Sequence, residues 1–232
     1  MRMGIWNDIR DLFFPRTCLI CGNRLAMEEE HLCFQCMVGL PRTQMHQKKE
    51  NEVEKSFWGK LPIERASSFL YYAKGGNVRR LMYEIKYYGN SKLAFFLGCC
   101  MAEELKSSGF FEGIDYIIPV PLSARKQKKR GYNQSELLAD GIASILGIPV
   151  KKNVLVKRQD TETQTRKGNY ERWINVKDAF VCADRVLLEN KHVLLVDDVM
   201  TTGATIVACS DGLADVVGLR ISVLTLALAK ES

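Results

Sequence analysis

The stretch "VLLVDDVMTTGAT" at residues 193–205 decides how this chain folds and what it binds. An apolar run stops at two adjacent aspartates, Asp197 and Asp198, and is followed by two threonines, a glycine, an alanine and a third threonine. A short apolar run bounded by turn residues is typical of a buried strand. The turn after it is either a solvated loop or a site that binds a sugar with the acids and a phosphate with the turn.

The residue types in this turn suit the second interpretation. Gly203 permits a tight turn, and the helix that follows offers free amides and a positive dipole end to an anion. Thr201, Thr202 and Thr205 add hydroxyl groups. Two carboxylates would repel a phosphate, so they make better sense facing neutral hydroxyls or a nearby Mg²⁺ ion. The turn has neither the Gly-Lys-Ser/Thr of a Walker loop nor the spaced glycines of a dinucleotide fingerprint.

The pattern around this stretch predicts a parallel α/β sheet. Strands are expected at 65–72, 115–120, 191–196 and 220–229, and helices at about 77–87, 91–107, 133–148 and 204–216. Asn133 is placed to cap the third of these helices, with Glu136 three residues later. Continuous apolar strands alternating with helices indicate a parallel sheet covered on both faces. Ligands bind such sheets beyond the carboxyl ends of the strands.

Length and composition are those of an ordinary globular protein with one α/β core and a small appendage. The chain has 232 residues, of which 47% are hydrophobic and 26% charged. Asp8, Arg10 and Asp11 interrupt the segment that a secretion signal would keep apolar, so we expect a cytoplasmic protein.

The net charge of the chain is +6, yet residues 121–177 alone hold thirteen Lys or Arg against five Asp or Glu. This basic segment is either a solvated face or a surface for phosphates or nucleic acid.

Four cysteines near the N-terminus have the spacing of a zinc knuckle. They form two Cys-x-x-Cys pairs separated by eleven residues: Cys18, Cys21, Cys33 and Cys36. Each pair places two thiolates on one side of an ion, which suits structural zinc. Disulfides or an iron–sulfur cluster are the alternatives, although the cytosol keeps thiols reduced.

The stretch 193–205 resembles the binding motif of type I phosphoribosyltransferases. In that family the adjacent acids hold the ribose hydroxyls of phosphoribosyl diphosphate and the following loop holds its 5-phosphate. The resemblance therefore assigns the ribose to Asp197 and Asp198. It assigns the phosphate to Met200, Thr201, Thr202, Gly203, Ala204 and Thr205.

The order of motifs resembles the ComF family over essentially the full length. The cysteine knuckle is followed by "IKYYGN" at 85–90, "PVPLSARKQKKRGYNQSELLA" at 119–139, "TETQTRKGNYERWINVKDAF" at 161–180 and the acid motif. One departure is Lys167, where family members usually carry leucine. The resemblance implies a type I phosphoribosyltransferase fold with a small N-terminal zinc-binding module. The polar stretch between Pro41 and Pro62 indicates a linker, so we expect a knuckle region at 1–42, a linker at 43–64 and a phosphoribosyltransferase-like domain at 65–232, with a helical subregion at 75–107 and a core at 110–232.

The functions that follow belong to different classes. The first is Mg²⁺-dependent phosphoribosyl transfer, resembling the amidophosphoribosyltransferases but without a glutaminase half, so that ammonia or a base is the acceptor. The second, implied by the ComF resemblance, is handling of single-stranded DNA during natural transformation beside a helicase-like partner. In that case the pocket could serve as a ligand sensor without turnover. A third interpretation makes the zinc module a structural staple or a protein-docking unit.

The remaining candidate residues follow from the chemistry of transfer. The diphosphate leaving group carries several negative charges, so fixed cations should stabilise it. Arg130 is the foremost candidate among the five cations of 125–130, and Lys86 is a further candidate for a substrate contact. The long aperiodic stretch 157–176 predicts a lid. Its candidates are Arg166 and Arg172 as catalytic residues, with Thr163, Gln164 and Asn175. Tyr132, Asn133 and Gln134 lie either at the lip of the pocket or simply at the start of a helix.

Overall fold

The structure is a computed structural model that describes residues 15–158 and 179–229. The strands of the described residues are β1 (Arg65–Tyr72), β2 (Tyr116–Pro119), β3 (Leu155–Lys157), β4 (Phe180–Cys182), β5 (His192–Met200) and β6 (Arg220–Ala229). Four of them form a sheet in the order β1-β6-β5-β2, in which every pairing is parallel. Strands β3 and β4 form a separate antiparallel pair. The expected parallel sheet is confirmed.

Helices cover both faces of the sheet. They are α1 (Phe34–Val38), α2 (Glu52–Ser56), α3 (Asn77–Tyr87), α4 (Ser91–Leu105), α5 (Ala124–Arg130), α6 (Gln134–Leu146) and α7 (Ala204–Asp211). Short 3₁₀ turns span Met45–Gln47, Lys106–Ser108 and Val186–Leu188. Within the described ranges, none of these helices has the length and apolar character needed to cross a bilayer.

Strand β5 shows why the sheet is buried on both faces. Its residues alternate between two apolar clusters: Leu194 and Val196 belong to the cluster that includes α3, α4 and α6, whereas Val193 and Leu195 belong to the cluster that includes α7 and α2. Because both faces are covered, the strand reads as one continuous apolar run. The acids at its end therefore belong to a strand that packs against apolar residues on both faces.

Helix α6 is placed by close packing against α4. A Cβ added to Gly98 of α4 would lie 2.2 Å from the Leu138 carbonyl oxygen of α6, so that no side chain fits there. Asn133 caps α6, as predicted, by accepting a hydrogen bond from the Ser135 amide at 3.1 Å, and its own amide donates to the Val120 carbonyl at 3.0 Å. The start of α6 is thereby fixed beside the carboxyl end of β2.

The segment 43–64, which its polar composition predicts to be a linker, contains helix α2 and contributes to the core. Asn51 caps α2, and its side-chain amide donates to the Ala66 carbonyl of β1 at 2.9 Å. Val53 and Phe57 have no exposed surface. Apolar residues four positions apart bury one face of this short helix while two of its three charged residues are exposed, which explains its polar composition.

Candidate functional site

Strand β5 continues past the point where the sequence predicts its end. Its predicted end is Val196, but the pairing with β6 joins Asp197 to Thr225 and extends as far as Met200. Both aspartates therefore lie within the strand, and the turn begins at Thr201. The carboxylates are fixed by backbone pairing at the carboxyl end of the sheet, where parallel sheets bind ligands.

Asp197 is a carboxyl group that holds its proton unusually well. Burial and, to a smaller extent, the neighbouring charge of Asp198 raise its pKa from the usual 3.8 to about 7. Two hydrogen bonds to its Oδ1 act in the opposite sense, one from the Ser135 hydroxyl at 3.0 Å and one from the Asp198 amide at 2.8 Å. Near neutral pH this group is therefore poised between a hydrogen-bond donor and a carboxylate.

Asp198 is paired with a cation from a distant part of the chain. Lys86, in the last turn of α3, places its Nζ 3.0 Å from Asp198 Oδ2. The two side chains are 21% and 14% exposed, so the pair is largely shielded from water. Lys86 is thus brought into the site, as a direct partner of one of the two acids.

The turn after β5 has a geometry that only glycine fits. Gly203 has a φ of 77°, and a Cβ there would lie 2.9 Å from Phe57 Cε1 and 3.2 Å from Met200 Cε. Phe57 follows α2, so the segment predicted as a linker packs directly beneath the turn. The backbone of the turn is therefore held by close packing from below as well as by its own conformation.

The turn also forms a small hollow at the N-terminus of helix α7. The hollow measures about 70 Å³ and is lined by Asp197 and by residues 199–206. Thr201, Thr202 and Thr205 are exposed there, whereas the side chain of Met200 is buried beneath. The Met200 side chain therefore points into the core, and the hydroxyls and first-turn amides are the groups available to an anion.

Arg130 lies at the edge of a second, cationic cavity of about 540 Å³. Its Nη1 donates to Gln134 Oε1 at 2.9 Å. The described residues that line the cavity include four cations and no carboxylate: Lys86, Tyr87, Tyr88, Gly89, Lys126, Lys129 and Arg130. Because Lys86 also pairs with Asp198, this cavity adjoins the acid pair.

The residues that directly follow Arg130 make contacts within the protein. Tyr132 donates its hydroxyl to the Ile85 carbonyl of α3, and Gln134 is fully buried. Ser135, which contacts Asp197, is not among the residues predicted from sequence. The available signal is its place in the first turn of a helix that starts at the carboxyl end of a neighbouring strand.

The predicted lid, apart from its first two residues, lies outside the described residues, and Lys157 is the last residue of β3. Arg166 and Arg172, which the sequence makes catalytic candidates, belong to the lid, together with Thr163, Gln164 and Asn175. Their roles stay predictions.

The four cysteines converge, as their spacing predicts. The Sγ atoms of Cys18, Cys21, Cys33 and Cys36 all lie within 4.8 Å of one another, so the cluster could hold a zinc ion. Burial and the neighbouring thiols raise the pKa of Cys36 to about 12. Four thiolates this close need a cation between them, and zinc fits this set of ligands. Arg80 of α3 donates to the Ile20 carbonyl at 3.0 Å and joins this knuckle to the main domain.

Comparison with known proteins identifies the family. The model of the phosphoribosyl transferase domain matches residues 133–232. The DNA utilization protein YhgH of Escherichia coli O157:H7 is 30% identical over 192 residues, which are 82% of this chain and 80% of that protein. Competence protein F of Haemophilus influenzae is 41% identical over 91 residues, 39% of this chain and 40% of that protein. Competence protein ComFC of Bacillus subtilis is 31% identical over 90 residues, 39% of this chain and 34% of that protein.

The chain belongs to the ComF family. It is a phosphoribosyltransferase-like competence protein with the type I phosphoribosyltransferase fold and a four-cysteine cluster near the N-terminus. In this ComF protein the matched domain contains α6, β5 and the turn that opens α7, which are the elements that carry Ser135 and the acid pair. Lys86 and the cysteines lie before residue 133 and thus outside that domain match.

Proposed function

We propose that the site at the end of β5 binds phosphoribosyl diphosphate together with Mg²⁺. The observation that supports this most strongly is the order of groups along one rigid element, with two carboxylates followed directly by a hydroxyl-rich turn at a helix N-terminus. A sugar phosphate presents hydroxyls and a phosphate in the same order. The match to the phosphoribosyl transferase domain covers this element.

The ribose end of the ligand would meet the acids. Carboxylate oxygens accept hydrogen bonds from the sugar hydroxyls, and such bonds favour the charged form of Asp197. Ser135 holds Asp197 in place by its 3.0 Å hydrogen bond. The Lys86–Asp198 pair limits repulsion between the two acids until the ligand arrives.

The phosphate end would occupy the hollow at the start of α7. Helix N-termini bind phosphate because their first amides lack partners within the helix. The exposed hydroxyls of Thr201, Thr202 and Thr205 surround the same hollow. The buried Met200 side chain leaves only backbone groups of that residue to contact a ligand.

The diphosphate end would face the cationic cavity. Mg²⁺, when bound with the ligand, neutralises charge that develops on the departing diphosphate. Lys86 of α3 and Arg130 of α5 both line this cavity, although they are far apart in the sequence. We assign to Arg130 the role of holding the diphosphate, with ammonia or a nucleobase as the acceptor of the phosphoribosyl group.

Calorimetry with the full-length protein, phosphoribosyl diphosphate and Mg²⁺ tests the binding. We expect saturable binding that Asp197→Asn and Asp198→Asn each weaken more than tenfold. Asp211→Asn, at the exposed end of α7, is the matched control. Release of diphosphate with ammonia or a panel of bases then tests transfer. If phosphoribosyl diphosphate binds but no acceptor leads to release of diphosphate, the sensor alternative is supported. Absence of binding would overturn the proposal.

A second proposed function is the handling of single-stranded DNA. Helix α5 carries five cations in seven residues, and four of them are exposed. Relatives of this chain are named for competence and for DNA utilization. Binding of an oligonucleotide, followed by fluorescence anisotropy, should weaken steeply as salt is added. Affinity that does not change with salt would contradict this function.

A further inference from the structure

The outer face of α3 carries a continuous line of aromatic and cationic side chains. The Arg79 guanidinium lies 5.2 Å from the centre of the Tyr83 ring, and the Tyr83 and Tyr87 ring centres are 5.1 Å apart. The Arg130 guanidinium, from α5, lies 5.9 Å from the centre of the Tyr87 ring. We name these four side chains the tyrosine–arginine ladder.

The ladder is not part of the core. Helix α3 packs on the sheet through a different face, formed by Val78, Leu81, Met82 and Ile85, which are all buried. Tyr83 is 42% exposed and Tyr87 is 58% exposed. Residues 79, 83 and 87 follow one another at a spacing of four, which aligns them along one side of the helix. Two neighbouring tyrosines thus face solvent with an arginine at each end.

Both ends of the ladder join features already described. At its start, the residue next to Arg79, Arg80, is not part of the ladder but donates a hydrogen bond to the Ile20 carbonyl of the cysteine knuckle. At its end, Tyr87 and Arg130 line the cationic cavity, together with Lys126 and Lys129. The ladder therefore connects the knuckle with the cavity beside the acid pair.

The charge around the ladder is mainly positive. The shallow hollow of about 440 Å³ beside Tyr83 is lined by Arg79 and Arg80 and by one acid, Glu84. The cavity at the other end has no carboxylate among the described residues that line it. An extended polyanion with flat apolar groups matches this combination of cations and exposed rings.

We infer that the tyrosine–arginine ladder is a stacking platform for single-stranded DNA, which it leads from the knuckle to the cationic cavity. This inference rests on the second proposed function and gives it a surface. Bases of a single strand expose their faces and stack on aromatic rings, while arginine and lysine contact the phosphates. A duplex hides its base faces, so the ladder should prefer single strands. Because the two rings contact each other and a guanidinium lies over each of them, a stacking base takes the place of that guanidinium, which then contacts a phosphate of the strand.

The test uses the full-length protein and a fluorescein-labelled oligothymidine of about 20 nucleotides, a length that spans the site sizes of single-strand binding proteins. We expect Tyr83→Ala to weaken binding about tenfold and Tyr83→Ala/Tyr87→Ala to weaken it further. Tyr83→Phe/Tyr87→Phe should bind as the wild type does, because stacking needs only the ring. The slope of log affinity against log salt concentration should stay unchanged in the tyrosine variants. Lys129→Gln should make this negative slope shallower by about 0.7, because one phosphate contact is lost.

Trp58 supplies a matched control. It is 58% exposed, and Lys55 lies 5.8 Å from the centre of its ring, which reproduces the same chemistry on another surface. We expect Trp58→Ala to bind oligothymidine as the wild type does. The inference is overturned if Tyr83→Ala/Tyr87→Ala binds within twofold of the wild type, if Trp58→Ala weakens binding equally, or if duplex DNA binds with the same dependence on the tyrosines.

Calorimetry with phosphoribosyl diphosphate on the same variants separates this inference from the first proposed function. Tyr83 lies outside the cationic cavity, so Tyr83→Ala should bind phosphoribosyl diphosphate unchanged. Tyrosine-dependent DNA binding without phosphoribosyl diphosphate binding would refute the first function and leave the ladder supported. DNA binding that does not depend on the tyrosines would refute the ladder and leave DNA handling intact.

Discussion

Lys86 Nζ lies 3.0 Å from Asp198 Oδ2, and this contact joins α3 to the acid pair of β5. The pair is shielded from water, with the two side chains 21% and 14% exposed. Removal of one member therefore leaves the other charge poorly solvated. We expect Lys86→Met to lower the free energy of unfolding by about 1–3 kcal/mol, measured by urea denaturation.

A double-mutant cycle checks that this loss comes from the pair. Lys86→Met/Asp198→Asn should recover part of the stability, with a coupling energy of about 1 kcal/mol or more. Lys92→Met, an exposed lysine in the first turn of α4, is the matched control and should change little. Additive single effects would contradict the role of the pair.

The raised pKa of Asp197 makes stability depend on pH. Its pKa is about 7 in the folded protein and near 3.8 when exposed, so between these values the folded state binds more protons than the unfolded state. Stability should therefore fall as pH rises from about 4 to about 7, and level off above that. One pKa unit corresponds to about 1.4 kcal/mol, and partial contact with water reduces the total to about 2 kcal/mol.

Urea denaturation of the wild type and of Asp197→Asn at pH 5 and pH 8 measures this effect. The variant cannot ionise at this position, so its free energy of unfolding should fall less between pH 5 and pH 8 than that of the wild type. Equal pH dependence in both proteins would show that Asp197 does not carry the raised pKa.

We expect Ser135 to affect ligand binding through its hydrogen bond to Asp197. Its hydroxyl donates to Asp197 Oδ1 at 3.0 Å, and this bond lowers the pKa of the carboxyl. Ser135→Ala should therefore raise that pKa further and weaken the binding of phosphoribosyl diphosphate about three- to tenfold at pH 7. Ser144→Ala is the control, since its hydroxyl donates within the same helix to the Gly141 carbonyl at 2.7 Å. At pH 9, where Asp197 is charged in either protein, the difference should shrink.

Local signals explain which parts of the fold and site the sequence predicts. Strands β1 and β6 have the expected bounds because turns and charged residues flank their apolar runs. The cap of α6 follows from Asn133 and its neighbours. The convergence of the cysteines follows from their spacing. Each of these features depends on residues close together in the chain.

The features that the sequence does not reveal depend on contacts between distant segments. Strand β5 continues past Asp197 because β6 offers it a paired partner there, which outweighs the poor strand propensity of aspartate. Phe57, which follows α2, packs beneath Gly203 of a turn that lies far from it in the sequence. The partners of the acids, Lys86 and Ser135, come from two other helices. No local pattern encodes such contacts.

Loss of zinc should unfold the knuckle and weaken its support for α3. Cys33→Ser removes one of four converging ligands, so the protein should lose its zinc, expected at one ion per chain and measured by mass spectrometry of the metal. We also expect a lower melting temperature, because bound zinc contributes to folding. Cys99→Ser, which lies outside the cluster beside Ser144, is the control. Retention of DNA binding in a folded Cys33→Ser protein would assign the knuckle a role as a structural staple.

Gly203→Ala tests whether the packing beneath the turn shapes the hollow at the start of α7. The substitution places a Cβ 2.9 Å from Phe57 Cε1 on a backbone with a φ of 77°. Gly59→Ala is the matched control: its φ is 71°, but its Cβ would meet nothing within 4 Å. Both variants should lose about 1–2 kcal/mol from the left-handed backbone conformation. Gly203→Ala should lose more stability through the clash, and it should bind phosphoribosyl diphosphate more than tenfold more weakly. If the two variants behave alike, the contact with Phe57 does not determine the shape of the turn.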